Sequence, residues 1–192
     1  MLDLLIRLHM VSKTVTPCVQ TDDFMIPHRD ELELSIHLNE NIECRGPYAG
    51  RASALLADHA ANIQRLLLRY DALVQEARSE QRLMVITHGE PHAGNTMLAR
   101  DGWKLIDWDT ILIAPPERDL WSLDPGDGSI INTYADATRT KPRPSMLALY
   151  RLRWDLADIA VYVSRFRGPH SDSTDDAKSW DELLDLVTGL PT

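Results

Sequence analysis

The residues best suited to chemistry lie in one short stretch, His88-Gly89-Glu90-Pro91-His92-Ala93-Gly94-Asn95, with Asp107 and Asp109 a little further on. Polar side chains gathered on backbone rich in Gly and Pro, between an apolar run and a hairpin signal, are where a rigid scaffold presents functional groups. Taken singly, His88 and His92 read as hydrogen-bonded loop residues. Their spacing is that of paired zinc histidines on a helix, but Gly89, Pro91 and Gly94 oppose a helix there. The block Thr96–Ala99, Arg100-Asp101-Gly102, Trp103–Ile106 has Asp-Gly where a tight hairpin turn needs it. If Asp101-Gly102 is that turn, Arg100 faces Trp103, Leu98 faces Leu105 and Thr96 faces Asp107, which sets Asn95 and Asp107 side by side at the open end. An amide oxygen and a carboxylate converging beside another carboxylate form a hard-oxygen site that suits Mg²⁺ better than zinc.

The order His88, Glu90, Asn95, Asp107 also follows the layout of protein kinases, in which a loop carboxylate takes the substrate proton and a later Asn and Asp hold metal. More closely, HGEPHAGN followed by LIDWD and PPERDLW resembles the aminoglycoside phosphotransferase family and its kinase-like relatives, whose usual pattern reads HGDxxxxN and then IDW. The resemblance implies an α+β fold: the mostly helical C-terminal lobe of a protein-kinase-like fold, with a short β-hairpin carrying the metal site. It covers residues 1–192 as one domain, with the catalytic loop at 87–95 and the metal hairpin at 96–109. Nothing in the chain resembles the N-terminal lobe that supplies a phosphate-covering loop and a Lys.

Carried over by position, the resemblance makes Glu90 the catalytic base, His88 the residue that shapes its loop, and Asn95 and Asp107 the ligands of Mg²⁺ and the bound nucleotide. Asp119 becomes the structural brace of the loop backbone, while Asp109 stands where the family usually has Gly or another residue, which leaves its role open. The family's substrate cleft is lined by C-terminal helices, so Asp155 and Asp158 become candidates to meet amines of a cationic acceptor. The implied reaction moves the γ-phosphoryl group of ATP or GTP to a hydroxyl of a small molecule, an aminoglycoside or aminocyclitol antibiotic, as in antibiotic resistance. Glu90 stands where the family has Asp, which lengthens the arm by roughly 1.5 Å. Two rival readings are a non-catalytic small-molecule-binding remnant of such a kinase, and a metal-dependent hydrolase that needs His88, His92, Asp107 and Asp109 to converge.

The elements that must position these residues are legible in the periodicity. Residues 1–10 read as a short amphipathic helix and 12–23 as loop. Residues 30–38 carry an alternation of Leu32, Leu34, Ile36 and Leu38, but their acidic start favours a helix. From Arg51 to about Arg78 the set Leu56, Ala60, Ile63, Leu67, Tyr70, Val74 and Ala77 steps by three and four, the stripe of a long half-buried helix. Leu83–Ile86 is a β-branched run that reads as a strand ending at Thr87. A Pro/Gly-rich loop is expected over 114–128, a long helix over 145–167 and a short one over 180–187. Trp103, Trp108 and Trp121 are assigned to core or hairpin packing.

Composition narrows the partners. With 20 Lys+Arg against 29 Asp+Glu the formal charge is −9, which disfavours nucleic-acid phosphates and attracts cations. The acidic set Asp22, Asp23, Asp30, Glu31, Glu33, Glu40 and Glu43 reads mostly as a solvated face. No apolar run approaches the ~20 residues of a membrane span, and the N-terminus lacks the pattern of a signal peptide. Cys18 and Cys44 are too few for a disulfide framework, so free thiols and a cytoplasmic location are expected.

Overall fold

In the computed structural model, which describes residues 1–12, 18–37, 45–79 and 83–191, the chain divides into two compact units. Unit 1 comprises Met1–Phe24 and Leu73–Arg151, and unit 2 comprises Met25–Ala72 and Leu152–Thr192. Cys44, Glu40, Glu43 and Leu38 lie outside the described residues, whereas Cys18 is a free, exposed thiol. No helix among the described residues is long and apolar enough to cross a membrane.

Unit 1 opens with α1, Leu2–His9, whose buried positions are Leu5 and His9. Residues four apart share a helix face, so His9 is carried inward on the same stripe as Leu5. This helix packs against β1 (Val85–Thr87), β3 (Gly102–Leu105) and α5 (Ser129–Thr138). Its core partners are Leu120, Tyr134 and Leu147. Strand β1 is buried along its whole length and pairs antiparallel with β4, Leu112–Ala114. Strand β4 falls within residues expected to lead into a loop, and α4 (Glu117–Leu120) lies inside that loop. The α5 sequence is rich in β-branched and short polar residues of modest helix propensity. Its helix is bounded by left-handed residues, Gly128 and Arg139, and anchored by the buried Tyr134.

The hairpin of β2 (Thr96–Ala99) and β3 has a different register from the one that turn counting gives. Ala99 faces Gly102, Leu98 faces Trp103 and Thr96 faces Leu105, so each partner lies two positions earlier than a turn on Asp101-Gly102 would place it. A two-residue type I′ turn needs positive φ at both central residues. Only Gly102 has it, at 111°, and Asp101 does not. The turn therefore sits on Arg100-Asp101, with Lys104 Nζ donating to Asp101 Oδ2 at 2.7 Å. Because the shift is even, every side chain keeps its face of the pleat. Trp103 and Leu98 stand opposite each other, both more than half exposed, so this Trp packs on the hairpin and not in the core.

Unit 2 is helical: α2 (Arg29–His37), the first part of α3 (Ala49–Ser79), the second part of α6 (Pro144–Arg167), and α7 (Thr174–Thr188). Helix α2 buries Leu32 and leaves Leu34 exposed, the outcome of a 3.6-residue period acting on an alternating sequence. In α3 the spacing of three and four buries Leu56, Ile63, Leu67 and Tyr70, and Val74 and Ala77 continue the stripe into unit 1. Helix α7 starts six residues before its expected beginning. Ser173 caps it by accepting from the Asp176 N–H, and its hydroxyl donates back to the Asp176 carboxylate at 2.7 Å. Such a reciprocal cap satisfies donors at the helix start that otherwise have no partner.

Candidate active site

The loop after β1 is held from several sides. The Asp119 side chain is fully buried, and Oδ2 accepts the His88 N–H at 2.8 Å while Oδ1 accepts the Gly89 N–H at 2.7 Å. His88 is also fully buried. Its Nε2 donates to Ile106 O at 2.8 Å, and its Nδ1 accepts the Glu90 N–H at 3.3 Å. A carbonyl only accepts and an N–H only donates, so the ring proton sits on Nε2. Trp108 lies against this ring, with centroids 4.8 Å apart.

Arg118, the neighbour of Asp119, supplies a second clamp. It donates to Thr87 Oγ1 and to Thr110 O, both at 2.8 Å, and Thr110 Oγ1 donates to His88 O at 2.8 Å. Gly89 takes φ 101° in the space that remains. Neither Arg118 nor Thr110 stood out in the sequence. The only available signal was that Arg118 adjoins Asp119 in PPERDLW.

Glu90 is half-buried, and its carboxylate takes part in none of the hydrogen bonds among the described residues. Its carbonyl does the structural work, accepting Asn95 Nδ2 at 3.0 Å and the His92 N–H at 3.0 Å. Asn95 is buried. Because its amide nitrogen is committed to Glu90 O, Oδ1 is the atom left for a cation. His92 stays on the loop, its Nδ1 accepting from Gly94 N at 3.1 Å.

The chain beyond β3 brings Asp107 to this end of the hairpin. The Ile106 N–H donates to Asn95 O at 3.0 Å, so Asn95 and Asp107 flank one ladder bond despite the corrected register. Asp107 is exposed and left-handed, φ 62°, a conformation that Asp tolerates better than most residues. Asp109 is exposed as well. Among the described residues no three His, Cys, Asp or Glu side chains are grouped so that they could hold a metal ion, so the four that the hydrolase reading requires do not converge on one.

In unit 2, Asp155 and Asp158 of α6 line a cavity of about 480 Å³, together with Tyr162, Glu182, Asp185, Leu186, Gly189 and Leu190. The Tyr162 hydroxyl donates to Glu182 Oε2. Burial first, and this bond second, push its pKa up to about 12. The wall is therefore four carboxylates and a protonated phenol. Asp22, expected on a solvated face, is instead buried in unit 1, where it accepts from Phe24 N at 3.0 Å and from the Tyr150 hydroxyl at 2.9 Å.

His9 is the residue that sequence reading passed over. Its Nε2 lies 3.0 Å from Asp119 Oδ2, and its Nδ1 3.0 Å from the Tyr134 hydroxyl. A lone His on the inward stripe of α1, four residues after Leu5, was the signal available.

Comparison with known proteins bears on the family and the fold. The chain is 36% identical over 173 residues to Protein StrN of Streptomyces griseus, an alignment covering 86% of this chain and 50% of StrN. It is similar in fold to spectinomycin phosphotransferase APH(9)-Ia in complex with ADP and spectinomycin, with a TM-score of 0.67 and 18% identity over 97% of this chain and 62% of that one. The AMP-bound complex of that enzyme gives a TM-score of 0.65 and 19% identity, covering 98% of this chain and 64% of that one. The chain thus spans about half the length of StrN and less than two thirds of the solved structures. The sequence profile of the phosphotransferase enzyme family matches residues 1–162, and the chain belongs to that family.

Proposed function

We propose that this chain is the catalytic-loop portion of a nucleotide-dependent phosphotransferase that moves the γ-phosphoryl group of ATP or GTP to a hydroxyl of a small cationic molecule of the aminoglycoside or aminocyclitol class. The observation that carries the reading is the Glu90 carboxylate, which no described hydrogen bond engages, on a loop whose backbone Asp119, His88 and Asn95 fix. A base for proton transfer must be placed well and left free to accept.

Asn95 Oδ1 and the Asp107 carboxylate fit Mg²⁺, since both are hard oxygens and the Asn95 amide nitrogen is already committed elsewhere. When bound there, the ion neutralises phosphate charge. Glu90 accepts the proton of the acceptor hydroxyl as that oxygen bonds to the γ-phosphorus, and the nucleoside diphosphate leaves. His88 and Asp119 keep the Glu90 backbone in place. Asp155 and Asp158, with Glu182 and Asp185, attract ammonium groups of the acceptor; the cavity they line supports this role.

The test is a phosphotransfer assay on three proteins: this chain, this chain joined to the N-terminal portion of a longer relative, and the joined protein carrying Glu90→Gln. We expect turnover only in the second, in the range of ~1–100 s⁻¹ typical of kinases. Activity that survives Glu90→Gln removes Glu90 as the base. Acceptor binding with no turnover in any of the three favours a non-catalytic binding module.

A further inference from the structure

We propose that His9 is a positioning residue for the loop that carries Glu90, acting through Asp119. The proposal rests on reading that loop as catalytic. Asp119 Oδ2 accepts two hydrogen bonds, from His88 N at 2.8 Å and from His9 Nε2 at 3.0 Å, and Oδ1 accepts Gly89 N at 2.7 Å. A carboxylate buried this completely retains its charge only when donors surround it, and among the described residues His9 is the one side-chain donor beside two backbone amides. Since a carboxylate only accepts, Nε2 must carry a hydrogen.

His9 is itself fixed. The Tyr134 hydroxyl lies 3.0 Å from Nδ1, and the two rings meet edge to face with centroids 5.6 Å apart. Burial raises the Tyr134 pKa, and the Glu117 and Asp119 carboxylates add to the shift, so its hydroxyl keeps the proton it donates. The chain of contacts thus runs from α5 through α1 and α4 to the residues just before Glu90. Packing alone would be met by an aliphatic side chain with no ring nitrogens to satisfy, so a buried His held by two polar partners does more than pack. Without its donor the Asp119 carboxylate is free to turn about its terminal torsion, and the His88 and Gly89 amides lose their aligned acceptors.

The experiment is amide hydrogen exchange followed by NMR on the whole chain. In His9→Leu we expect the His88 and Gly89 amides to exchange at least about tenfold faster, the scale of a lost hydrogen bond to a charged group. Buried amides of the same unit, Val74 and Leu149, stay unchanged. His9→Gln, which keeps an N–H donor near the place of Nε2, restores protection, whereas His9→Asn, with a shorter reach, does not. Should His9→Leu fail to fold, the contrast between Gln and Asn carries the test. Equal rates for His88 and Gly89 in these variants and the parent overturn the proposal. So does a uniform acceleration that includes Leu149, because that marks a residue needed for stability alone. Exchange does not depend on turnover, so a failure of Glu90 as base leaves this outcome readable.

Discussion

The Arg118 guanidinium occupies the space that a side chain on Gly89 would need: a Cβ at Gly89 would lie 2.5 Å from Nη2 and 2.7 Å from Nη1. Gly89→Ala therefore carries two penalties, the strain of φ 101° and displacement of the clamp on Thr87 and Thr110. Gly102 is the control, since it has φ 111° with open space around its Cβ position. We expect Gly102→Ala to cost only backbone strain, about 1–3 kcal/mol, and Gly89→Ala to cost more. Denaturant unfolding of the two variants checks this, and equal losses would mean that the guanidinium yields freely.

Asp119→Ala removes the acceptor of two buried amides and of His9. Each orphaned donor costs about 1–3 kcal/mol, so the thermal midpoint should fall markedly. If the midpoint stays within a degree or two of the parent, Asp119 is not bracing the loop.

Asn95→Ala and Asp107→Asn each take an oxygen ligand, or its charge, from the proposed Mg²⁺ site. Metal-dependent nucleotide affinity, measured by calorimetry, should weaken at least about tenfold in each. Binding of nucleotide without Mg²⁺ should change less. Unaltered affinity in both variants would remove these two residues from the site.

Asp176 connects stability to pH in unit 2. The Ser173 hydroxyl foremost, then the Ser171 N–H, the Arg165 guanidinium and the Ser171 hydroxyl, hold its carboxyl well below the usual carboxylate range, against the opposing effect of burial. A carboxyl with a lowered folded-state pKa stabilises above its unfolded pKa, about 3.9, and that stability is lost as pH falls through and below this value. Thermal midpoints from pH 6 down to pH 3 should drop more steeply in the parent than in Asp176→Asn. Parallel curves would show that Asp176 does not drive the acid transition.

The carboxylates of the α6–α7 cavity should matter to a charged acceptor and little to folding. Asp155→Asn and Asp158→Asn are expected to weaken binding of an aminocyclitol about two- to fivefold each, the scale of a solvent-accessible ion pair. Added salt should narrow the difference. Calorimetric titration at two ionic strengths measures both effects, and a salt-independent affinity equal to the parent's would exclude the cavity as the cationic subsite.

Local pattern in the sequence determined the long helices, the strand ahead of the loop, the existence of the hairpin and the family. Helical period, β-branched runs and the combination HGEPHAGN, LIDWD and PPERDLW are all read within a few residues of one another. Tertiary structure decided the rest. The hairpin register followed backbone torsions, since Asp101 takes no positive φ and Gly102 does, a distinction that Asp-Gly alone does not make. Strand β4 has only three residues and exists through its pairing with β1, while α5 overrides modest propensity by burying Tyr134. Size places Trp103 in the core or on the hairpin, and the pairing that sets it opposite Leu98, more than half exposed, decides for the hairpin. Asp22 and His9 are polar residues whose burial depends on partners more than a hundred positions away, Tyr150, Tyr134 and Asp119. Hydrogen bonds of that span are made by packing, and a window of local sequence contains no trace of the partner that satisfies them.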